Sequence, residues 1–600
     1  MDLEHLISGL AIERRGNEGR AAGAVRICDI TEDSRTVMPG SLYVARKGEK
    51  SDGRAYIKAA VAGGAVAVLT ERPTGELQAT VIAKLAGECG PAALLLSDNV
   101  QLAMAQIAER FFGSPSAKLD VCAVTGTNGK TTVAYLVYQL LNNAGTEPGE
   151  SASARAHGES KRCGLMGTVC IDDGTEVAPA TLTTPPALEI SRTLARMAES
   201  GCKAAAMEAS SHSLHQHRVG ALAIRVGVFT NLTHDHLDYH GTMDAYGAAK
   251  AMLFAMLPSA AAAGSAVSGG VAIVNQDDPW HARMIEGCKA RIVRCGIKAR
   301  ESVATPVADW HATVIKADAR TTTIRVRGPW DGAAGIAAGP AADGEGVLTI
   351  ELPLIGEHNV MNALQAAATA YEMGLSVGAL AAGLGRINAP PGRLEPVTAA
   401  GAPLTVYVDY AHTDDALERV LATVRKAMGR TRTSAGAGAE LHCVFGCGGD
   451  RDRSKRPKMG RVASMLADRV ILTSDNPRSE EPRGIIEQVA AGISADLRAG
   501  VVIEQDRSAA IGAAVASMQA GDVLVIAGKG HEDYQIVSDG QGGTVKNHFD
   551  DRHVAATALV KRGVAVVPHF ARIVTKDGSG VGFGTSAGGP TGAGGKRGGR

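Results

Sequence analysis

The stretch VTGTNGKTT, residues 124–132, sets two glycines, a lysine and paired threonines between an apolar run and the helical run TTVAYLVYQLL. Gly126 and Gly129 allow a tight turn that points the backbone N–H groups inward. Lys130 can reach terminal phosphates, and the Thr131 hydroxyl, followed by Thr132, can ligate Mg²⁺. The ligand suited to such a loop is a polyphosphate. The spacing departs from the Walker pattern, whose first glycine would fall at position 124, where Val stands.

A polyphosphate needs a metal and counter-charges, and two later stretches offer them. MEASSHSLHQHR supplies Glu208, Ser210, His212, Gln216 and Arg218, and TNLTHDHLDYHGTMDAYGAAK supplies His234, Asp235, His236, Asp238, His240 and Lys250. Clustered histidines suggest zinc, yet the oxygen-bearing neighbours and the glycine loop favour Mg²⁺ held by few protein ligands. A lysine such as Lys250 is by default a solvated residue on an amphipathic helix, and composition does not select it. In VILTSDNPRSEEP, Asp475–Arg478 leave an apolar run with more charge than a turn requires, although a charged turn capping the next helix is the simplest account of it.

These residues need elements to hold them. Short β-branched runs alternate with Ala- and Leu-rich helical stretches, the pattern of parallel α/β sheets. LDVCAVTG, AAAMEASS, RVGVFTNL and GVAIVNQDD in the middle, and LTVYVDYAH, LHCVFGCGGD, RVILTSDNP and DVLVIAGKG later, each end an apolar run in a polar cluster. The polar groups are thus expected at the carboxyl ends of strands, where open α/β sheets bind ligands. INAPPGRLEPV, residues 387–397, reads as a hinge between two such sheets.

At 600 residues the chain exceeds what one core organises, so several domains are expected. Lys plus Arg and Asp plus Glu both number 62, so no overall field favours nucleic acid or a membrane surface. The ten cysteines are scattered and read as reduced, buried thiols. MDLEHLISGL has acids where a signal peptide needs basic residues, and no run is apolar enough to span a bilayer. A cytoplasmic protein without stable membrane insertion is expected. Residues 143–163, 258–270, 330–346 and 431–439 read as surface insertions, and residues 563–600 as a disordered tail.

Taken together, TGTNGKTT, TLTTPP, MEASSHSLHQHRV, TNLTHDHLDYHGTMDAYGAAK, GEHNVMNALQAA, PPGRLEPV, VDYAHTDDAL, VFGCGGDRDRSKRPKMG, SDNPR and AGKGHEDYQ resemble, in content and order, the Mur ligases, ATP-dependent amide-forming enzymes of peptidoglycan precursor synthesis. The resemblance runs from about residue 30 to 555 and implies a three-domain α/β architecture. Residues 1–117 would bind the UDP end of the substrate, residues 118–391 would form a central P-loop-type ATPase sheet, and residues 392–562 a Rossmann-like domain for the amino acid. The resemblance is strongest to the branch that joins meso-2,6-diaminopimelate to the D-Glu γ-carboxylate of UDP-N-acetylmuramoyl-L-Ala-D-Glu through an acyl phosphate.

Site roles implied by the resemblance follow residue by residue. Gly126, Thr127, Asn128, Gly129, Lys130, Thr131 and Thr132 would hold the ATP phosphates, Asn359 and Asn362 the adenine, and Arg393 and Asp409 would complete the nucleotide site on domain closure. Thr131, Glu208, His236 and Lys250 would serve Mg²⁺, with Lys250 carbamylated to N6-carboxylysine; Lys130, Glu208, His236 and Lys250 are the implied catalytic set. Asp33, Ser34, Thr183, Thr184, Ser210, Gln216 and Arg218 would contact the UDP-muramoyl dipeptide. Arg451, Asp475, Asn476, Pro477, Arg478, Gly528 and Glu532 would bind diaminopimelate, with Arg478 on its distal carboxylate and Glu480 and Glu481 only starting the next helix. A monomer is expected. A lysine-adding ligase of the same branch and a folylpolyglutamate synthase share the ATP core, and an inactive nucleotide-binding scaffold is the reading from another class.

Overall fold

The computed structural model of the chain describes residues 1–15, 25–48, 51–75, 78–144, 162–260, 269–298, 307–330, 347–429 and 438–576. Most of the expected insertions lie outside the described residues. Two compact units emerge, residues 1–393 with 426–429, and the remainder from residue 394.

The first unit contains two sheets. A five-stranded sheet built from Ile12–Arg15, Asp29–Thr31, Ser41–Ala45, Ala67–Glu71 and Ala93–Ser97 is followed by an eleven-stranded one that begins at Asp120. The expected boundary at 117/118 therefore separates sheets, while both sheets belong to one compact unit.

In the larger sheet, Cys163–Met166, Ala204–Glu208, Asp120–Thr125, Ile224–Phe229, Val271–Asn275 and Arg291–Gly296 lie side by side and parallel. These strands are buried on both faces, so their sequences run nearly continuously apolar rather than alternating. Along Asp120–Thr125, Cys122 and Val124 face the helices Lys130–Asn143 and Glu357–Glu372. Val121 and Ala123 face Ala187–Glu199 and Met243–Ala255. Each fully buried Leu or Val on these layers stabilises by roughly 1.5–3 kcal/mol relative to exposure. Counting the six parallel strands in chain order, the first sits between the third and fourth, so the connections from it and from its neighbours diverge at its carboxyl end. That divergence opens the crevice in which such folds bind ligands.

The second unit carries a six-stranded sheet in which Thr405–Asp409, Val523–Ala527, Leu441–Phe445, Arg469–Leu472 and Val501–Ile503 are parallel, with Glu395–Pro396 antiparallel at one edge. All eight runs picked out in the sequence are strands here. The tail expectation needs correction: the described chain continues past 563 into a helix, Pro568–Lys576. Val564, Val566 and Phe570 are buried in the second unit's core, and Val566 pairs with Thr398, because their apolar side chains close that core beside Ala555 and Leu559. Residues 577–600 lie outside the described residues.

Candidate active site

The glycine loop joins the strand ending at Thr125 to the helix starting at Lys130. Val124 is still in register within the sheet, opposite Glu208 and Val228, so the turn begins two residues later than the Walker spacing requires. Gly126 has φ +149° and Gly129 φ +86°. A Cβ on Gly126 would stand 1.8 Å from Thr230 Oγ1, and one on Gly129 2.6 Å from Asn362 Oδ1. Both positions thus need glycine for space as well as for backbone. Thr230 Oγ1 donates to the Asn128 carbonyl (2.5 Å), and the Asn231 side chain accepts from Asn128 N–H (3.0 Å) and donates to its carbonyl (3.1 Å). Lys130 Nζ folds back onto the carbonyls of Gly126 (3.0 Å) and Thr127 (2.9 Å). Thr132 is buried in the helix's first turn.

Glu208 ends the adjacent strand, almost fully buried. Its two oxygens accept from Thr131 Oγ1 (3.0 Å) and from the backbone N–H of Thr168 (2.6 Å). A hydroxyl and a carboxylate this close form a hard-oxygen donor set that fits Mg²⁺. Lys250 comes from the helix Met243–Ala255, fully buried, and donates to the Gly126 carbonyl at 2.7 Å with its ammonium 4.5 Å from the Tyr246 ring centroid. Burial, and secondarily Lys130, pushes the Lys250 amine well below the usual lysine range.

His236 sits with φ +52° at the start of a short helix, exposed, and Asp235 is 3.6 Å from its Nε2. Its ring packs edge-on against His212 at 5.0 Å and reaches Lys250 by way of Tyr246. His240 stacks beside Tyr246 and donates or accepts at Ser211 Oγ (3.0 Å); burial, then His212, lowers it to about 4, so it is neutral at pH 7. His234 and Asp238 are exposed. Asn359 and Asn362 lie in the first two turns of the helix Glu357–Glu372, linked Nδ2 to Oδ1 at 3.2 Å. The cap of that helix is Gly356, so Asn359 is not held there by capping.

A second group forms around the same strand ends. Thr184 Oγ1 donates to the Glu208 carbonyl (2.8 Å) and accepts from Ser210 N–H (3.1 Å), while Ser210 caps the following short helix. Arg218 donates to the Thr184 carbonyl (2.8 Å) and, through two nitrogens, to Gln216 Oε1 (3.0 and 2.7 Å). Thr183 accepts from Thr168 Oγ1 at 3.2 Å. Burial, then Arg46, lowers the Arg218 pKa, while Arg46 itself is paired with Glu32. Asp33 and Ser34 lie in the loop after Asp29–Thr31, and the Arg35 guanidinium holds the Asp33 carboxyl at about 2.

In the second unit, Asp475–Arg478 follow the strand Arg469–Leu472, and Gly528–Glu532 follow Val523–Ala527. Asn476 joins them: Nδ2 donates to Glu532 Oε2 (2.9 Å), and Oδ1 accepts from Lys529 Nζ (3.1 Å) and Ile536 N–H (2.9 Å). Gly528, at φ +116°, leaves room for Asp475, whose Oδ2 would lie 2.8 Å from a Cβ there. Arg478 adopts φ +53° beside the buried Pro477, donates to the Gly449 carbonyl (2.9 Å), and passes close to Gly448, which also neighbours Arg451. Asp409 is buried, accepting from Leu394 N–H (2.7 Å) and Ala411 N–H (2.8 Å). Arg393, in the first unit, acts electrostatically on Lys130.

One expectation fails here. Glu480 does more than begin a helix: its carboxylate receives both Nη atoms of the fully buried Arg456 (3.0 and 2.8 Å) and Asp450 N–H (2.6 Å), and Arg456 holds it down at about 2. It ties the Asp450 loop to the Asp475–Arg478 loop. Glu481 does cap the helix Pro482–Ala490, accepting from Gly484 N–H. Sequence reading also missed Lys529, fully buried 3.6 Å from Glu532, although it stands inside a quoted motif.

Arg507 was invisible in the sequence, a lone basic residue in an Ala-rich helix. It is fully buried, paired twice with Asp551 (both 2.7 Å), and donates to the carbonyls of Ser474 (3.3 Å) and Ala527 (3.0 Å). Those carbonyls immediately precede the two loops. Arg507→Met leaves the Asp551 carboxylate buried without a partner and is expected to cost about 3–5 kcal/mol. Denaturant unfolding of Arg507→Met and of Arg507→Met/Asp551→Leu checks this; the double variant should recover part of the loss.

A strand-to-helix glycine loop bearing Lys and Thr, a facing buried carboxylate and a buried lysine, all at the switch point of a parallel sheet, form an arrangement suited to nucleotide phosphates. Family comparison is specific: residues 124–370 match the Mur ligase middle domain, 392–530 the Mur ligase glutamate ligase domain, and 26–111 the Mur ligase family catalytic domain. The chain belongs to the Mur ligase family.

Two relatives are named UDP-N-acetylmuramoyl-L-alanyl-D-glutamate 2,6-diaminopimelate ligase. That of Synechococcus elongatus is 40% identical, covering 90% of this chain and 96% of its own. That of Geobacillus kaustophilus is 40% identical over 88% and 94%. A solved structure of an enzyme with the same name matches with TM-score 0.60 and 30% identity, over 91% and 97% of the two chains. MurF from Acinetobacter baumannii shares the fold at 20% identity and TM-score 0.51, over 84% and 90%.

Proposed function

We propose that this chain uses ATP to join meso-2,6-diaminopimelate to the D-Glu γ-carboxylate of UDP-N-acetylmuramoyl-L-Ala-D-Glu, in peptidoglycan synthesis. The observation that carries this reading is the coexistence of the phosphate loop with the Asn476–Glu532–Lys529 cluster beside Arg478, on a chain related along its length to ligases of that name. No helix among the described residues is long and apolar enough to cross a membrane, which suits a cytoplasmic enzyme using nucleotide substrates. We take it to act as a monomer.

A carboxylate is inert to amines because oxide is a poor leaving group. Transfer of the γ-phosphoryl group of ATP to the D-Glu carboxylate gives an acyl phosphate. The diaminopimelate amine then attacks its carbonyl carbon, the nitrogen loses a proton, and phosphate departs with the C–O bonding pair. Gly126–Thr132 hold the phosphates, with Lys130 swinging from its backbone carbonyls onto them. Thr131, Glu208, His236 and a carbamylated Lys250 would hold Mg²⁺, which when bound neutralises charge on the transferring group. Thr183, Thr184, Ser210, Gln216 and Arg218 orient the muramoyl dipeptide, with Asp33 and Ser34 toward uridine. Asn359 and Asn362 flank the adenine.

ADP release that requires both the UDP-muramoyl dipeptide and diaminopimelate tests this reading; ADP release independent of either would refute it. Gly126→Ala is expected to weaken ATP binding roughly ten- to a hundredfold, because about 1–3 kcal/mol of backbone strain joins the clash with Thr230. Calorimetric titration with a non-hydrolysable ATP analogue measures it.

A further inference from the structure

At the end of the second unit's sheet opposite the Asp475 and Gly528 loops, three side chains converge. Glu440 immediately precedes the strand Leu441–Phe445, His442 lies on it, and Asp522 immediately precedes the neighbouring parallel strand Val523–Ala527. His442 is 97% buried by its 3% residual exposure, as is Asp522. The His442 Nε2 makes no hydrogen bond, yet points at two carboxylates, with Asp522 Oδ2 3.4 Å away and Glu440 Oε2 3.6 Å away. One ligand atom from each residue can be chosen so that all lie within 4.8 Å of one another.

Those separations have a chemical meaning. In a tetrahedral site with metal–ligand bonds of about 2.0–2.2 Å, neighbouring donor atoms stand roughly 3.3–3.6 Å apart. The two imidazole–carboxylate separations are too long for a good hydrogen bond and match the spacing of donors around a shared ion. Glu440 Oε2 also accepts from Arg469 Nε at 2.6 Å, so an ion would share that oxygen with the guanidinium. Among the described residues, Asp522 has backbone donors, Glu440 N–H (2.7 Å) and Gln519 N–H (2.6 Å), and no Lys or Arg ion pair. These two backbone contacts fix its orientation as a supporting layer does around metal ligands.

We propose that Glu440, His442 and Asp522 form a binding site for a zinc-class divalent cation, distinct from the Mg²⁺ chemistry of the nucleotide loop. An imidazole with two carboxylates favours borderline first-row metals over Mg²⁺. Glu440, partly exposed, lies on the side from which an ion would enter. The ion would tie the starts of two adjacent strands whose far ends carry the loops at Phe445 and Ala527.

The test is a zinc titration of the chelator-stripped full chain in excess Mg²⁺, with Glu440→Gln and His442→Asn in parallel, followed by calorimetry and thermal unfolding. Expected is about one more equivalent bound by the wild type than by either variant, with a zinc-dependent rise in Tm that both variants lose. Crystals of the wild type soaked in zinc should show an anomalous peak between the three side chains, a readout that needs no variant to fold. Equal stoichiometry and equal thermal shift in wild type and variants, or zinc peaks confined to the His212–His236–His240 cluster, would overturn the proposal.

Discussion

Lys250→Ala is expected to lower the ligase rate by roughly a hundredfold or more, the scale of losing one preorganised charge at a reacting group. An unmodified ammonium at Lys250 would repel Mg²⁺ next to the phosphate loop, while burial against Tyr246 and the Gly126 carbonyl disfavours that charged form. A buried neutral amine is the species that attacks CO₂: the new N–C bond forms, one proton leaves the nitrogen, and the neutral amine becomes a carbamate anion able to organise the metal. Because the amine's pKa is lowered, its neutral fraction near pH 7 exceeds that of an exposed lysine, and modification increases as pH rises through that pKa. Wild-type enzyme depleted of CO₂ should lose activity and regain it with bicarbonate. Lys250→Ala should show no bicarbonate response, and a ¹³C-bicarbonate resonance present in the wild type should vanish. Full activity of Lys250→Ala would contradict the assignment.

The second large effect is at Arg478. Diaminopimelate differs from lysine by a distal carboxylate, so a selective pocket needs a cation for that group and an acceptor for the distal ammonium. Arg478 is held by Gly449, and Glu532 is held by Asn476, with burial raising the Glu532 pKa and Lys529 opposing that rise. Arg478→Ala should raise the diaminopimelate KM about ten- to a hundredfold, from the loss of roughly 1.5–3 kcal/mol in a charge-assisted bond. ATP KM should be unchanged. Arg478→Lys should not restore KM fully, since a point charge lacks the guanidinium fork. Steady-state kinetics with each substrate varied in turn separates the effects; a change in ATP KM alone would assign Arg478 elsewhere.

Much of this was legible in the sequence because the local signal and the tertiary role coincide. Apolar runs ending in polar clusters are strands with ligand-facing ends, and glycine-rich punctuation marks the phosphate loop. What stayed hidden depends on long-range contact. Glu480 reads as a helix-start acid, yet it clamps Arg456, which is 24 residues away. Arg507 and Asp551, 44 residues apart, carry no pattern that announces a buried pair. Thr168 supports Glu208 through its backbone N–H, a group every residue but proline possesses. The end of the folded chain was misplaced because Val564, Val566 and Phe570 are sparse apolar residues before a Gly-rich stretch, too few to register as a helix.

The most direct test of the central claim is kcat/KM for ADP formation with UDP-N-acetylmuramoyl-L-Ala-D-Glu and ATP, comparing meso-diaminopimelate with L-lysine. The account predicts that diaminopimelate is preferred by at least about tenfold, the discrimination expected of one charge-assisted bond to the distal carboxylate. Equal use of the two amino acids, or preference for lysine, would contradict it.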